Sequence, residues 1–473
     1  MSKSLKKSKH IHIIKRSWGT HVVYHRLFGN LTVLDDKAAM LLDLFDDPVG
    51  GDDLALLFQQ YGTYLNTFYD MYYLVEESSD EREEQNLDLE ERARSLVDGN
   101  LIGGLQLNIS DACNFACSYC FCDIVDERGQ RRTELADSNE KLMPFEIAAK
   151  AIDTLLAKVK NTGKPGLVIK FYGREPLLNW KVIEKILNHY NHGEHHGARI
   201  AYAITTNASQ LTPEIAQTLA HYKVGTIVSI DGPAASNDRL RRTKNTGSNT
   251  FDVIQQGIDC LKKAGALQAL SAVVTEENFD EFDNRLVDLA EKHGVKEVQI
   301  LPGVQGDFLG RMGPEKVIEK LYNIFVYGRR KGIAVSGYWL NPVISSLSTH
   351  RFRSTGEVVR TAPDSCAATG YQISVEPSGD IFPCRSMSMH LGHIDDFKKM
   401  LKTDAYKHVA MRTYNNVKAC HGCSIEGFCQ GPCPGNLEEK SNDIYQLDPF
   451  FCDVFKGIHE KVLSHFVTLP SYQ

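Results

Sequence analysis

The stretch Leu101-Ile-Gly-Gly-Leu-Gln-Leu-Asn-Ile109, which runs shortly before Cys113-Asn-Phe-Ala-Cys117-Ser-Tyr-Cys120, decides the interpretation of this chain. The first part is an apolar run that predicts a β-strand, so the three cysteines fall on the loop at its carboxyl end. Ligand sites of parallel α/β proteins form at that edge. Three thiolates can bind three irons of a cubic 4Fe-4S cluster and leave the fourth iron open. A zinc knuckle is the alternative, although zinc needs a fourth ligand and usually takes CxxC pairs.

The middle of the chain alternates short β-rich runs with helical patterns, which predicts an α/β fold with a parallel sheet and helices outside it. The strands are predicted at 101–109, 167–172, 198–206, 225–230, 268–275 and 296–301. The helices are predicted at 143–160, 179–191, 212–221, 250–264, 279–292 and 314–331. Six such units predict a partial (β/α)6 barrel rather than a closed eight-stranded one.

Composition and charge exclude several classes of partner. The chain has 473 residues, a formal net charge of −7 and 12 cysteines. The mild charge predicts no nucleic-acid partner, and no apolar run reaches the roughly 20 residues of a membrane span. Cysteines without a secretion signal predict a cytoplasmic protein that uses them for metal ligation rather than disulfides.

The cysteine loop, with Tyr119 before its third cysteine, resembles the CxxxCxΦC signature of the radical S-adenosylmethionine (SAM) superfamily. The resemblance implies a cluster bound by Cys113, Cys117 and Cys120 as the catalytic centre. Its open iron would bind the amino and carboxylate groups of SAM. One electron would then cleave SAM to methionine and a 5′-deoxyadenosyl radical. The same resemblance implies the partial barrel.

Downstream strand ends resemble the SAM contacts of that family. The second strand ends at Gly-Arg-Glu, where the family has GGE, and the next ends at Thr-Thr-Asn. The fourth ends at Ser-Ile-Asp-Gly, and an arginine that follows, at 241 or 242, is expected to neutralise the SAM carboxylate. The implied cofactor-binding residues are Tyr119, Gly173, Arg174, Glu175, Thr206, Asn207, Ser229, Asp231 and Arg241. Arg174, in place of the second glycine, leaves the local backbone geometry open.

A second set of cysteines resembles the seven-cysteine pattern of SPASM domains, and its spacing fits a zinc ribbon poorly. The resemblance implies that Cys420, Cys423, Cys429 and Cys452 bind a distal auxiliary cluster. It implies that Cys366, Cys384 and Cys433 bind a proximal one. Three 4Fe-4S clusters are therefore expected in all.

One ligand of the proximal cluster is missing from the pattern. Fully ligated family members have a further cysteine a few residues before the position of Cys366, but here residues 358–364 read Val-Val-Arg-Thr-Ala-Pro-Asp. The open iron could bind a substrate thiolate, and Cys122, Asp364 or water could also fill the site. Cys260, on an apolar helical face, is predicted to be a buried small hydrophobe.

The first 80 residues predict a small module of their own. Residues 10–34 alternate apolar and polar side chains with glycine turns, which predicts an antiparallel sheet, and helical patterns follow at 36–45, 53–60 and 66–75. This order resembles a winged helix and, before a radical SAM barrel, the RiPP recognition element that binds a leader peptide by β-augmentation. An ordinary N-terminal extension or a DNA-binding fold stays possible. The expected domains are 1–80, a charged linker or helix at 81–100, the barrel at 101–331, and a bridging region with the SPASM domain at 332–473.

Together these resemblances imply a radical SAM peptide maturase. It would bind a ribosomal precursor peptide through its leader, abstract a hydrogen from the core peptide and install a thioether or carbon–carbon crosslink. A reductant such as flavodoxin or ferredoxin would supply the electron. The alternatives are a maturase of an enzyme subunit, of the quinohemoprotein amine dehydrogenase type or the anaerobic sulfatase type, and an iron–sulfur electron-transfer or sensor protein. The missing ligand favours the thioether.

Overall fold

A computed structural model describes residues 4–16, 18–120, 142–161, 166–191, 194–195, 198–303, 311–354, 366–413, 417–429 and 431–465. Cys122, Asp364 and the rest of residues 358–365 therefore lie outside the described residues.

The N-terminal module contains two small sheets and two helices. In one sheet, β1 (Ser4–Lys7) pairs with β5 (Val49–Gly50) and β6 (Leu74–Glu76), and in the other β3 (Thr20–His25) lies between β2 (Ile11–Lys15) and β4 (Leu31–Asp35). The helices are α1 (Asp36–Asp43) and α2 (Gly51–Asp70), the second interrupted by non-helical φ/ψ at Tyr61. The sheet from β2 to β4 and the helices after it agree with the prediction. The predicted helix at 66–75 is wrong beyond Asp70, because Leu74–Glu76 pair with β1 instead.

Helix α3 (Glu81–Val97) is the segment predicted as a charged linker or helix. Most of its charged side chains face solvent, but Glu81, Gln85, Ala93 and Leu96 are buried. Asp80 caps its first turn by accepting hydrogen bonds from the backbone N–H groups of Arg82 and Glu83. The segment is therefore a packed helix, not a solvated connection. The domain boundaries stay predictions.

The barrel consists of parallel strands in chain order, β7 (Gly104–Ser110), β8 (Gly166–Gly173), β10 (Ala198–Thr206), β11 (Gly225–Ser229), β12 (Leu267–Val274) and β13 (Glu297–Pro302). β14 (Ala334–Ser336) adds a parallel strand beyond β13, and β9 (Glu194–His195) pairs with β10. The helices are α4 (Phe145–Asn161), α5 (Trp180–Tyr190), α6 (Pro213–His221), α7 (Ala234–Leu240), α8 (Phe251–Ala264), α9 (Arg285–His293) and α10 (Pro314–Arg330). The predicted partial barrel is confirmed.

The spacing of apolar residues explains why these segments are helical. One predicted helix boundary differs from the structure. α4 buries Ala148, Ile152, Leu155, Leu156 and Val159, the spacing of a single helical face. The helix predicted at 279–292 begins only at Arg285. Phe279 and Phe282 are buried from the turn before it, and the Asp283 carboxylate accepts a hydrogen bond from the backbone N–H of Arg285.

The C-terminal region extends the barrel sheet beyond β7. After α11 (Asn341–Ser354), β15 (Gln372–Val375) pairs in parallel with β7, and β16 (Asp380–Phe382) and β17 (Gly392–His393) follow antiparallel. β15 and β16 form a hairpin whose turn contains Gly379. The remaining helices are α12 (Phe397–Met400), α13 (Asp404–Ala410), α14 (Pro434–Ser441) and α15 (Pro449–Ser464). This arrangement places the C-terminal region along the β7 edge of the barrel sheet.

Candidate active site and auxiliary cysteine sites

The loop with Cys113, Cys117 and Cys120 is anchored by backbone hydrogen bonds to the chain around α7. The N–H of Ala116 donates to the carbonyl of Arg242 at 2.8 Å, and the N–H of Ser118 donates to that of Leu240 at 2.9 Å. Phe115 is buried beneath the loop. The loop conformation is therefore set by the chain itself, before any cluster binds.

Asp231 is the centre of a buried charged network behind these cysteines. Its carboxylate accepts hydrogen bonds from the Tyr119 hydroxyl at 2.6 Å, the Nε of Arg241 at 2.8 Å and the backbone N–H of Val273 at 2.9 Å. The Arg241 guanidinium lies 5.4 Å from the Tyr119 ring centroid and 3.9 Å from the sulfur of Cys117. Arg241 rather than Arg242 therefore occupies the site, and its cation faces the place where a SAM carboxylate is expected.

Glu175 organises the opposite side of the loop. Its carboxylate accepts hydrogen bonds from the Thr206 hydroxyl at 2.6 Å and from the backbone N–H groups of Asn207 at 2.7 Å and Leu177 at 3.1 Å. Complete burial raises the pKa of Glu175 to about 7, although these donors act in the other direction. The Asn207 side-chain amide lies 3.9 Å from the sulfur of Cys113. Glu175 thus joins two strand ends to the cysteine loop from behind.

The Gly-Arg-Glu sequence adopts a backbone that needs only one glycine. Gly173 has φ of 124°, and a Cβ there would lie 2.4 Å from the carbonyl oxygen of Ser110. Arg174 is not among the described residues with positive φ, and its N–H donates to the Ser110 carbonyl at 2.8 Å. An arginine at the second position is therefore compatible with this turn.

A cavity of about 300 Å³ joins the predicted site residues to the C-terminal region. Of the predicted residues, its walls include Cys113, Cys117, Tyr119, Cys120, Gly173, Arg174, Thr206, Asn207, Ser229 and Arg241. Glu175 and Asp231 lie behind that wall. Sequence reasoning missed Tyr172, Ser271, Val273, Gly303 and Tyr338, which also line the cavity. The first four lie near the carboxyl ends of barrel strands and could have been inferred from that position. Tyr338 precedes α11, and its position in the sequence gave no such signal.

The far wall of the cavity comes from the C-terminal region, through Ser386, Cys433, Asn436 and Glu439. A predicted ligand of the proximal cluster, Cys433, thus faces the same space as the three cysteines after β7. One cavity therefore connects the two chemistries that the sequence predicted separately.

Electrostatic interactions connect the C-terminal cysteines in two sets, and their roles as cluster ligands stay a prediction. Cys384 and Cys433 each interact electrostatically with Cys366. Cys429 interacts with Cys420, Cys423 and Cys452. Sequence distance does not decide this grouping, because Cys429 and Cys433 are close in the chain and belong to different groups.

Burial disfavours the thiolate form of several of these cysteines when no metal is bound. It raises the pKa of Cys113, Cys433 and Cys452 to about 11 and that of Cys420 to about 12. Bound iron would reverse this preference, because coordination deprotonates a thiol. The described cysteines form no disulfide with one another. Among the described residues, no three His, Cys, Asp or Glu side chains converge tightly enough for a single metal ion.

Arg385, which follows Cys384, ties the two cysteine regions together. Its guanidinium donates to both carboxylate oxygens of Glu376, at 3.1 and 3.0 Å, and to Asp111 at 2.6 Å. Asp111 precedes Cys113 by two residues. Cys260 lies on α8 and packs against the main core as predicted, but it is partly rather than fully buried.

Comparison with known proteins identifies both regions. A family model described as the Radical SAM superfamily matches residues 107–290, and one described as an iron–sulfur cluster-binding domain, SPASM, matches residues 366–424. The chain is a radical SAM enzyme with a SPASM domain. Its cofactors are SAM and 4Fe-4S clusters. The SPASM match ends before Cys429, Cys433 and Cys452, so their ligand roles stay predictions.

Relatives of this radical SAM enzyme include proteins of known activity. It is 28% identical over 476 residues to the radical SAM cyclopropyl synthase TigE of Paramaledivibacter caminithermalis, covering 98% of this chain and 96% of that protein. It is 24% identical over 367 residues to a serine-type anaerobic sulfatase-maturating enzyme of Bacteroides thetaiotaomicron, covering 71% of this chain and 83% of that one.

Solved structures share the fold of the radical SAM enzyme. A structure of Streptococcus suis SuiB bound to the precursor peptide SuiA covers 96% of this chain and all of that one, with a TM-score of 0.51 and 16% identity. One of anSMEcpe with bound AdoMet covers 77% of this chain and 94% of that one, with a TM-score of 0.60 and 19% identity. None of the described helices combines the length and apolarity of a membrane span.

Proposed function

We propose that this radical SAM enzyme matures a ribosomal precursor peptide by forming an intramolecular carbon–carbon bond. The observation that carries the proposal is the likeness to the cyclopropyl synthase over 98% of the chain, N-terminal module included. The match to the sulfatase maturase covers 71%. A maturase that acts on a leader-bearing peptide needs a site for the leader, and the additional N-terminal module could provide it.

The packing of the N-terminal sheet supports the proposal that this module binds a leader peptide. The inner face of its three-stranded sheet packs on its own helices, while Ile14, Val22, Tyr24 and Leu31 on the other face pack on Phe428 and Leu463 of the C-terminal region. β2 and β4 are the edge strands of this sheet. A leader peptide would add to one of them by backbone hydrogen bonds.

The residues around the cavity have distinct tasks in this proposal. SAM on the cluster supplies a 5′-deoxyadenosyl radical when bound. Arg241, which is held by Asp231, neutralises the SAM carboxylate. The Tyr119 hydroxyl donates a hydrogen bond to Asp231 and thereby orients its carboxylate. Glu175 keeps Thr206 and Asn207 on the ribose side of the cavity. The wall with Tyr338, Ser386 and Glu439 receives the reacting part of the peptide, next to Cys433.

Arg385 opposes the sulfatase-maturase alternative. The resemblance to those enzymes implies an aspartate base directly after the second SPASM cysteine. Here that position is an arginine, 8% exposed, whose guanidinium is engaged by Glu376 and Asp111. A permanently charged side chain in this environment cannot act as a general base.

A thioether product is the second candidate. The observation that favours it is the absence of cysteine from residues 358–364, where a further proximal ligand is expected. An iron without that ligand could bind a substrate thiolate.

The test is co-expression of the enzyme with the short peptides encoded beside its gene, followed by mass spectrometry. Each bond formed removes two hydrogens from the peptide. Alkylation with iodoacetamide then separates the candidates, because a carbon–carbon product keeps all its thiols and a thioether loses one. Modification of a peptide without its leader, or oxidation of a sulfatase-derived peptide alone, would contradict the proposal. Absence of 5′-deoxyadenosine from reduced enzyme with SAM and peptide would favour the sensor alternative.

A further inference from the structure

Arg412 is a buried cation in the C-terminal region. It lies just after α13 and is 1% exposed. Its guanidinium donates to two backbone carbonyls, those of Pro432 at 3.1 Å and of Ile444. No Asp or Glu among the described residues forms an ion pair with it, although Asp443 acts on it at longer range. A buried charge in this state is destabilising unless an anion balances it.

The groups that surround Arg412 are cysteines of both auxiliary sites. It interacts electrostatically with Cys366 and Cys433 of the proximal group and with Cys420 of the distal group. A thiol that coordinates iron is deprotonated, so these sulfurs would carry negative charge once the clusters are bound. The counter-charge that Arg412 lacks would therefore arrive with the clusters.

The guanidinium also holds the backbone that joins the two sites. The segment from Cys429 to Cys433 contributes one predicted ligand to each cluster. The N–H of Gly431 in this segment donates to the sulfur of Cys429 at 3.3 Å. A Cβ on Gly431 would lie 3.3 Å from the Nη2 of Arg412, and its φ of 75° favours glycine. Arg412 thus packs directly against this connecting segment.

Tyr338 fixes the same segment from the opposite side. The peptide group between Pro432 and Cys433 accepts from Arg412 through its carbonyl, and its N–H donates to the Tyr338 hydroxyl at 2.7 Å. A buried arginine and a partly buried tyrosine from distant parts of the chain therefore orient the residue that faces the cavity.

We propose that Arg412 is a positioning residue shared by the two auxiliary clusters, whose single positive charge balances both and raises both reduction potentials. A cation beside a cluster stabilises its reduced state, and potentials depend on nearby charge and hydrogen bonds. Both clusters thereby become better acceptors for the electron that bond formation releases. This inference rests on the SPASM assignment and not on the peptide substrate.

The test compares Arg412→Gln with Arg412→Lys in the full chain, reconstituted anaerobically. Iron content and a redox titration followed by electron paramagnetic resonance are measured without substrate. Arg412→Gln lowers the potentials of both auxiliary clusters and leaves the cluster after β7 unchanged. Arg412→Lys, which keeps the charge, restores most of the shift. Tyr338→Phe, which removes a hydrogen-bond acceptor but no charge, shifts the potentials less than Arg412→Gln.

Several outcomes overturn the inference. Auxiliary potentials that do not move in Arg412→Gln would do so, as would a shift at one cluster alone or an equal shift in Arg412→Lys. Where Arg412→Gln does not assemble the auxiliary clusters, the iron content of the two variants decides. Loss at both sites in Arg412→Gln with retention in Arg412→Lys supports a shared charge, whereas loss in both variants shows that Arg412 acts through packing.

Discussion

The cysteine loop after β7 and the auxiliary cysteine sites are built in opposite ways. Cys113, Cys117 and Cys120 lie within one loop whose backbone is pinned to the chain around α7. The auxiliary cysteines come from five separate segments, from Cys366 before β15 to Cys452 in the first turn of α15. All three ligands of the first site therefore come from one short loop, while the second site exists only when the C-terminal region has folded. Variants that separate the two sites test this difference directly.

The largest effect is expected when the local site is removed. Changing Cys113, Cys117 and Cys120 together to alanine should abolish formation of 5′-deoxyadenosine, because no other described cysteines face the SAM pocket from this loop. The auxiliary clusters should stay, since their ligands come from other segments. Chromatographic detection of 5′-deoxyadenosine and iron analysis check both parts. Cleavage of SAM by the triple variant would contradict the assignment.

Single changes in the assembled sites should separate SAM cleavage from peptide modification. Cys429→Ala should remove the distal cluster alone, and Cys384→Ala the proximal one alone, because their neighbours belong to different groups. Both variants should still cleave SAM but give no modified peptide. Mössbauer spectroscopy and peptide mass spectrometry measure the two results. Loss of both clusters from either variant would show that the sites cannot assemble independently.

Breaking the Asp231–Arg241 pair should destabilise the barrel. Asp231→Asn leaves a guanidinium 7% exposed without its anion, so the free energy of unfolding should fall by about 3 kcal/mol. Urea titration followed by circular dichroism gives this value. The control is Asp283→Asn, whose pair with Arg285 is 46% and 50% exposed and whose loss should cost about 0.5 kcal/mol. Equal losses would remove the distinction between buried and exposed pairs.

A smaller effect is expected at the contact between α3 and the distal loop. Arg82 donates to both carboxylate oxygens of Glu426, which is fully buried between Cys423 and Cys429 and also accepts from the N–H of Gly422 at 3.0 Å. Arg82→Ala should lower stability by about 1–2 kcal/mol and speed proteolytic release of the N-terminal module. Limited proteolysis measures the rate. Arg311→Ala, in an exposed pair, should leave it unchanged.

The barrel could be predicted from the sequence because its signals are local. β-rich runs and helical apolar spacing occur within single segments, and the strand bounds agree with the structure to within a few residues. The small sheet of β1, β5 and β6 could not be predicted, because its strands have two to four residues and pair across the module. The local sequence does not indicate which of these short segments pair with one another.

The site was predictable at its strand ends and not beyond them. The sequence carried no sign that Arg385 and Arg412 are buried, yet both are buried by partners far away in the chain. Helix α3 misled for the same reason, since its density of charge is typical of a solvated segment, while Arg82 pairs with a residue 344 positions away.

The N-terminal module is held in place against the C-terminal region, so the distance from a bound leader to the cavity would be fixed. Besides α3, close backbone contact fixes it, because the N–H of Gly427 donates to the carbonyl of Arg26 at 2.5 Å and a Cβ on Gly29 would lie 2.7 Å from the Gly427 carbonyl. An extended peptide covers at most ~3.3–3.6 Å per residue. The protein would therefore dictate how many residues must separate a bound leader from the amino acid in the cavity. Inserting glycine and serine residues into that spacer should move the modification along the peptide by the length inserted.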